Sequence, residues 1–264
     1  MSQNGQIVNK KAYPSPNPQV LLTEIIYWSN GFRVKGLLAE PKEKGTYEGI
    51  LYLRGGMQSI GMVRPSRISQ FASQGFVVFA PYYRGNRGGE GRDEFAGDDR
   101  YDAVYAVDVL KQFIQSPRVH LFSFSRGGIM ALWTAIIRND LTSLVTWAGV
   151  TDTALTYRER KDMRRMMKRV IGGSPSNHQE LYDERTPLND VEKIHASVLI
   201  IHGEQDEHVS IRQAKLLEES LMSNRKVLET WYFNQYKHQF PPKENAQLVR
   251  KICKWMRIQE VDAK

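Results

Sequence analysis

Ser125, Asp206 and His238 have the residue types and the chain order that acyl-transfer chemistry needs. Ser125 lies in Arg118-Val-His-Leu-Phe-Ser-Phe-Ser-Arg-Gly-Gly-Ile-Met-Ala-Leu, a pattern that predicts a buried strand over Val119–Phe124, a sharp turn, and a helix over Gly127–Arg138. A serine at such a turn has its hydroxyl lifted off the end of a sheet, the arrangement called a nucleophile elbow. Ser123 is the poorer nucleophile candidate, because it lies on the strand before the bend. A serine hydroxyl is weak near neutral pH and needs a base. His238 fits that role: it follows the last predicted strand, takes the Ser125 proton during attack on a carbonyl carbon, and returns it to the leaving group. Asp206, after the preceding strand and the His202-Gly203 turn, would hold the imidazole in the right tautomer. The developing oxyanion needs preorganised donors, expected from the backbone N–H of Arg126 and, in the turn Arg54-Gly55-Gly56, that of Gly56. His208 is the rival base and Asp152 the rival acid; His202 reads as structural, and His120, His178 and His195 are weaker candidates by position.

The elements that must position these groups alternate. Val20–Trp28 and Phe32–Glu40 flank Ser29-Asn30-Gly31 and predict a hairpin. Strands follow at Gly49–Leu53, Phe76–Ala80, Val119–Phe124, Ser143–Ala148, Ser197–Ile201 and Val227–Phe233. Helices fall at Ser66–Gln74, Asp98–Ile114, Gly127–Arg138, Ile211–Leu221 and Pro242–Ile258. Such alternation predicts an α/β fold with a mostly parallel central sheet and helices on both faces. In open sheets of this kind functional residues gather at the carboxyl ends of the strands, where all the candidates fall. Residues 1–19 read as a polar N-terminal extension and 151–194 as a short, partly helical, lid-like insertion in a single domain spanning 1–264. Asp98 and Asp99 suit the positive end of a helix dipole. Gly85–Gly91 reads as a flexible active-site loop, not a phosphate cradle, because no helix opens behind it.

Composition narrows the function classes. No apolar run approaches the roughly 20 residues that span a bilayer, and the polar, Pro-rich start has no secretory core segment, so a membrane partner is excluded and a cytosolic location is expected. The single cysteine, Cys253, falls on an apolar helical stripe and reads as core packing in a reducing compartment. The net charge of +8 is scattered; its densest cluster, Arg158 to Arg169, is interleaved with Met163, Met166, Met167 and Val170 at helical spacing. That is a solvated helix face, and no nucleic-acid-binding motif accompanies it. No metal-ligand spacing and no nucleotide fingerprint is present, so no metal and no cofactor are expected.

From Gly49 to Met256 the chain resembles the catalytic domain of the prolyl oligopeptidase family of serine peptidases, an α/β-hydrolase fold. The resemblance runs through Pro-Tyr-Tyr-Arg-Gly at 81–85, the segment Asp98 to Leu110, Ser-Phe-Ser-Arg-Gly-Gly around Ser125, Arg185-Thr-Pro-Leu, His-Gly-Glu-Gln-Asp-Glu-His-Val at 202–209 and His238-Gln-Phe. It implies Ser125, Asp206 and His238 as the triad and cleavage of small peptides or esters without a cofactor. Ser123 stands where the family usually has glycine, and Arg54 where it often has His or Tyr; Arg54 therefore either contacts the substrate oxyanion or pairs with an acid. The family's N-terminal β-propeller has no counterpart in the 48 residues before Gly49. Substrate filtering would then come from 151–194, from the N-terminal segment, or from contacts in a homo-oligomer. The expected function is a serine hydrolase of peptidase type acting through an acyl-enzyme. The alternatives are a carboxylesterase-type acyl hydrolase and a non-catalytic binding protein on the same scaffold.

Overall fold

The computed structural model describes residues 3–259. Strands β1 (Ile7–Tyr13), β2 (Val20–Ser29), β3 (Phe32–Pro41), β4 (Glu48–Leu53), β5 (Phe76–Pro81), β6 (Val119–Phe124), β7 (Ser143–Trp147), β8 (Ser197–Gly203) and β9 (Leu228–Phe233) form one sheet in the order β1-β2-β3-β5-β4-β6-β7-β8-β9. β1, β2 and β3 are an antiparallel edge joined antiparallel to β5; from β5 to β9 every pairing is parallel. The β2–β3 hairpin turns at Asn30 and Gly31, both left-handed (φ 46° and 81°), which is the backbone an Asn-Gly pair favours.

The inner parallel strands are mostly apolar and buried because both of their faces are covered, whereas the edge strand β9 is half-buried. On β4, Leu51 and Leu53 face one layer while Ile50 and Tyr52 face the other. The first layer holds α2 (Arg100–Lys111), α3 (Gly127–Ile137) and α7 (Ile211–Ser223), the second α1 (Pro65–Ala72) and α8 (Pro242–Ile258). Between β7 and β8 come α4 (Thr153–Glu159), α5 (Arg164–Ile171) and α6 (Gln179–Asp183), with 3-10 turns at Lys161–Met163 and Pro187–Lys193. The second of these turns packs on α3 and α7. Among the described residues no helix is long and apolar enough to cross a membrane.

The structure departs from the sequence reading at two places that matter. The stretch read as a polar extension contains β1, whose central residues are exposed because it is the outermost strand; Lys10 and Lys11 on it discourage pairing with another chain. Helix α2 starts at Arg100, and Asp99 makes no side-chain cap. Its carboxylate is instead fully buried and turned toward Arg126.

Candidate active site

The ends of β4, β6, β8 and β9 converge at one rim of the sheet. Ser125 follows β6 with φ +57°, a left-handed conformation that a serine adopts only when its surroundings enforce it. The restraints are the Ser125 N–H donating to Trp147 O at 3.1 Å, and Ser125 O accepting from the N–H groups of Gly128 (2.9 Å) and Val150 (3.0 Å). Ser123, the departure from the family's glycine, lies inside the strand and donates its hydroxyl to Val145 O at 3.0 Å. The strain falls on Ser125 itself, so position 123 tolerates a side chain.

The turn after β4 presses against the elbow. A Cβ on Gly55 would lie 2.7 Å from the Ser125 Cβ and 2.9 Å from Phe124 O, so only glycine fits. Gly56 follows, and among the described residues neither its N–H nor that of Arg126 donates to a protein acceptor.

Strand β8 delivers Asp206 and β9 delivers His238. A Cβ on Gly203 would sit 2.3 Å from Tyr236 O, so glycine there allows the two loops to close on each other. His238 Nδ1 donates to Asp206 Oδ2 at 2.7 Å. Asp206 Oδ1 accepts from the N–H groups of His208 (2.8 Å) and Val209 (2.9 Å). Burial pushes the Asp206 carboxyl up, but the His202 and His238 imidazoles and the Val209 N–H outweigh it and hold the group well below the usual carboxylate range. The His238 ring packs on Phe124, the residue before Ser125, with centroids 4.8 Å apart. Among the described residues Ser125 Oγ and His238 Nε2 make no hydrogen bond, a contact that often tightens only when substrate is present.

The rival residues are otherwise engaged. Asp152 caps α4, accepting from Leu155 N at 2.7 Å. His208 is exposed, its ring edge-on to His238 at 5.2 Å. His202 is buried and donates to Val209 O at 2.8 Å. Arg54 is 1% exposed, pairs with Asp93 at 3.8 Å and bonds the carbonyls of Gly55 (3.0 Å), Ile60 (3.2 Å) and Tyr82 (3.1 Å). Its guanidinium is turned into the protein, not toward a substrate.

Sequence reasoning missed the charged cluster behind the elbow. Arg126 donates to Asp93 at 2.5 and 3.2 Å, and Arg84 pairs with Asp102 at 2.8 Å, all four side chains being buried. Burial, then the neighbouring Asp93, push the Asp99 carboxyl up to about 8. The loop read as flexible is pinned: the N–H groups of Gly85 and Glu90 donate to Glu90 O and Arg33 O at 2.7 and 3.0 Å. Asp93, Asp99 and Asp102 all lie within ten residues of one another, and that acidic density beside a glycine-rich stretch was the available signal.

A model of the prolyl oligopeptidase family matches residues 62–259. The chain belongs to the prolyl oligopeptidase family. It is accordingly a serine hydrolase of peptidase or esterase type. A Bacillus subtilis protein, the uncharacterized peptidase YtmA, is 58% identical over 254 residues, covering 95% of this chain and 99% of its own. The chain also superposes on Pyrococcus horikoshii acylaminoacyl peptidase (TM-score 0.80, 16% identity), covering 93% of itself but 42% of that larger protein. On an acetyl xylan esterase from Paenibacillus sp. R4 the TM-score is 0.72 at 16% identity, with 98% and 91% of the two chains covered. These last two likenesses speak for the α/β-hydrolase fold. Among the described residues no group of His, Cys, Asp and Glu is arranged to hold a metal ion.

Proposed function

We propose that this chain cleaves small peptide or ester substrates through an acyl-enzyme on Ser125. The observation that carries the reading is the buried Asp206–His238 pair at 2.7 Å, packed against the residue that precedes a left-handed serine. Ser125 Oγ attacks the carbonyl carbon while His238 Nε2 takes the hydroxyl proton. The carbonyl oxygen becomes an oxyanion that accepts from the N–H groups of Arg126 and Gly56, whose hydrogen-bonding capacity the protein leaves unused. Collapse expels the amine or alcohol, which leaves with the proton from His238. Water then attacks the acyl carbon, His238 takes its proton, and Ser125 is regenerated as the acid departs. Asp206, held as an anion, stabilises the imidazolium in both halves.

The segment 151–194 serves as the substrate filter in this reading. It emerges from the carboxyl end of β7, and Arg160 from its α4 region donates to His208 O at 3.0 Å, beside the acid. A cytosolic location fits the lone, buried Cys253, whose thiol burial pushes up to about 12. Peptidase action is favoured by the family; an esterase is the second reading, favoured by the superposition on the acetyl xylan esterase.

The test is a panel of aminoacyl amides and short acyl esters, run beside fluorophosphonate labelling. Turnover and labelling both vanish in Ser125→Ala if the proposal holds. Labelling that persists in that variant, or a folded wild type that is neither labelled nor active, favours the non-catalytic binder.

A further inference from the structure

Both candidate oxyanion donors belong to turns that carry an arginine. Arg126 supplies one amide itself, and Arg54 immediately precedes Gly55 and Gly56. The two guanidinium groups point away from the solvent and converge: each lies over the ring of Tyr83, Arg54 at 5.3 Å and Arg126 at 5.1 Å from its centroid. Two carboxyl groups lie beside them: Asp99, 3.7 Å from Arg126 Nη1, and Asp93, which reaches both arginines. The latter accepts two bonds from Arg126, at 2.5 and 3.2 Å, and lies 3.8 Å from Arg54 Nη2. Asp93 is itself fixed by the Phe95 N–H at 3.3 Å and by Asn86 Nδ2 at 3.4 Å. Arg54 in turn clamps the carbonyls of Gly55 and Ile60, which bracket the Gly56 turn, to the end of β5 at Tyr82.

Two buried cations on separate turns repel, and burial leaves that repulsion poorly screened. An anion between them converts the repulsion into a link. Remove its charge, and the turn after β4 and the elbow after β6 lose the group that draws them together. An oxyanion site works only with its donors about 2.7–3.1 Å from the forming oxygen, so displacements of a few tenths of an ångström weaken it.

We propose that Asp93 is a positioning residue which, through Arg54 and Arg126, sets the separation of the Gly56 and Arg126 amides. The proposal rests on the acyl-enzyme reading above. Its role is distinct from charge neutralisation for folding alone, because it acts on the chemical step and not on substrate affinity.

The experiment uses Asp93→Asn, which keeps the side-chain shape and an oxygen for the Phe95 N–H while removing the charge. With a short acyl ester, kcat falls roughly 10- to 100-fold, less than the loss of a whole donor, while KM stays within about twofold. The rate constant for fluorophosphonate labelling of Ser125 falls in parallel, since the phosphoryl oxygen must enter the same site. Arg54→Lys, which keeps the charge but loses the forked grip on the carbonyls, gives a loss of the same kind. The double variant loses less than the product of the two single losses, as expected for groups acting through one link. A wild-type kcat in folded Asp93→Asn, or a lower folded fraction with unchanged turnover per labelled serine, overturns the proposal. Should Asp93→Asn fail to fold by circular dichroism, Arg54→Lys decides: unchanged kcat overturns it, and reduced kcat at constant KM supports it. Wild-type protein that is folded yet unlabelled and inactive would instead remove the acyl-enzyme reading, and this proposal with it.

Discussion

At the scale of single residues, the site is built by sterics as much as by charge. Ser125 bears a positive φ, and the elbow around it admits no side chain at Gly55. Gly55→Ala therefore keeps the fold, since the clash is with one neighbouring turn, but pushes the Gly56 amide off its place. A loss of kcat on the order of 100-fold is expected, the scale of one oxyanion donor; steady-state kinetics beside circular dichroism checks it, and unimpaired turnover contradicts the role given to that turn. Asp206→Asn removes the anion that faces His238 Nδ1 and offers a donor in its place, favouring the wrong tautomer. Turnover should fall on the order of 1000- to 10,000-fold with the far-ultraviolet spectrum unchanged. Asp206 also carries a stability consequence. Its carboxyl is held below the usual range, so its contribution is present above about pH 4, the unfolded value, and fades as the pH falls toward its lower folded value.

At the scale of elements, the strand ends do the assembling. β8 and β9 are parallel neighbours, paired Gly203 to Phe233, so the loops that leave them start side by side. Gly203 then lets the Tyr236 carbonyl approach closely enough for His238 to meet Asp206. Gly203→Ala should part these loops: kcat drops at least tenfold, with the His238 Nδ1 proton losing its strongly hydrogen-bonded NMR signature. An unshifted proton resonance in the variant would show that the approach is not needed. Strand and helix positions were largely legible from the alternation of apolar runs and glycine turns. The hairpin, the elbow strand and the closing helix fall where the sequence puts them. β1 was not, because an edge strand facing solvent carries no apolar alternation to betray it. The start of α2 was misplaced because Asp99 resembles a helix-capping acid, whereas its partners are distant in the chain.

At the scale of the whole molecule, the charged cluster behind the elbow makes stability depend on pH. Asp99 is fully buried, and its carboxyl titrates near 8. Above about pH 4 an unfolded aspartate releases its proton while the folded one keeps it, so the pull toward unfolding grows with pH until about 8 and then levels off. Asp99→Asn removes that pull. The melting temperature of the variant minus that of wild type should rise across this range and flatten above it; a difference independent of pH would mean that Asp99 is ionised throughout.

What the sequence determined by itself was the inventory and the order: an α/β chain with a serine at a strand-to-helix turn, an acid and a histidine after later strands, and glycines at the bends. These are local signals, carried by neighbours in the chain and by the two periodicities of strand and helix. The tertiary structure decided which residues meet. It gave Asp206, not Asp152, to His238, turned Arg54 inward away from the rim, and gathered Asp93, Asp99 and Arg126 into one buried cluster. Pairings of this kind depend on strand order and on the desolvation of groups far apart in sequence, and neither has a local imprint on the chain.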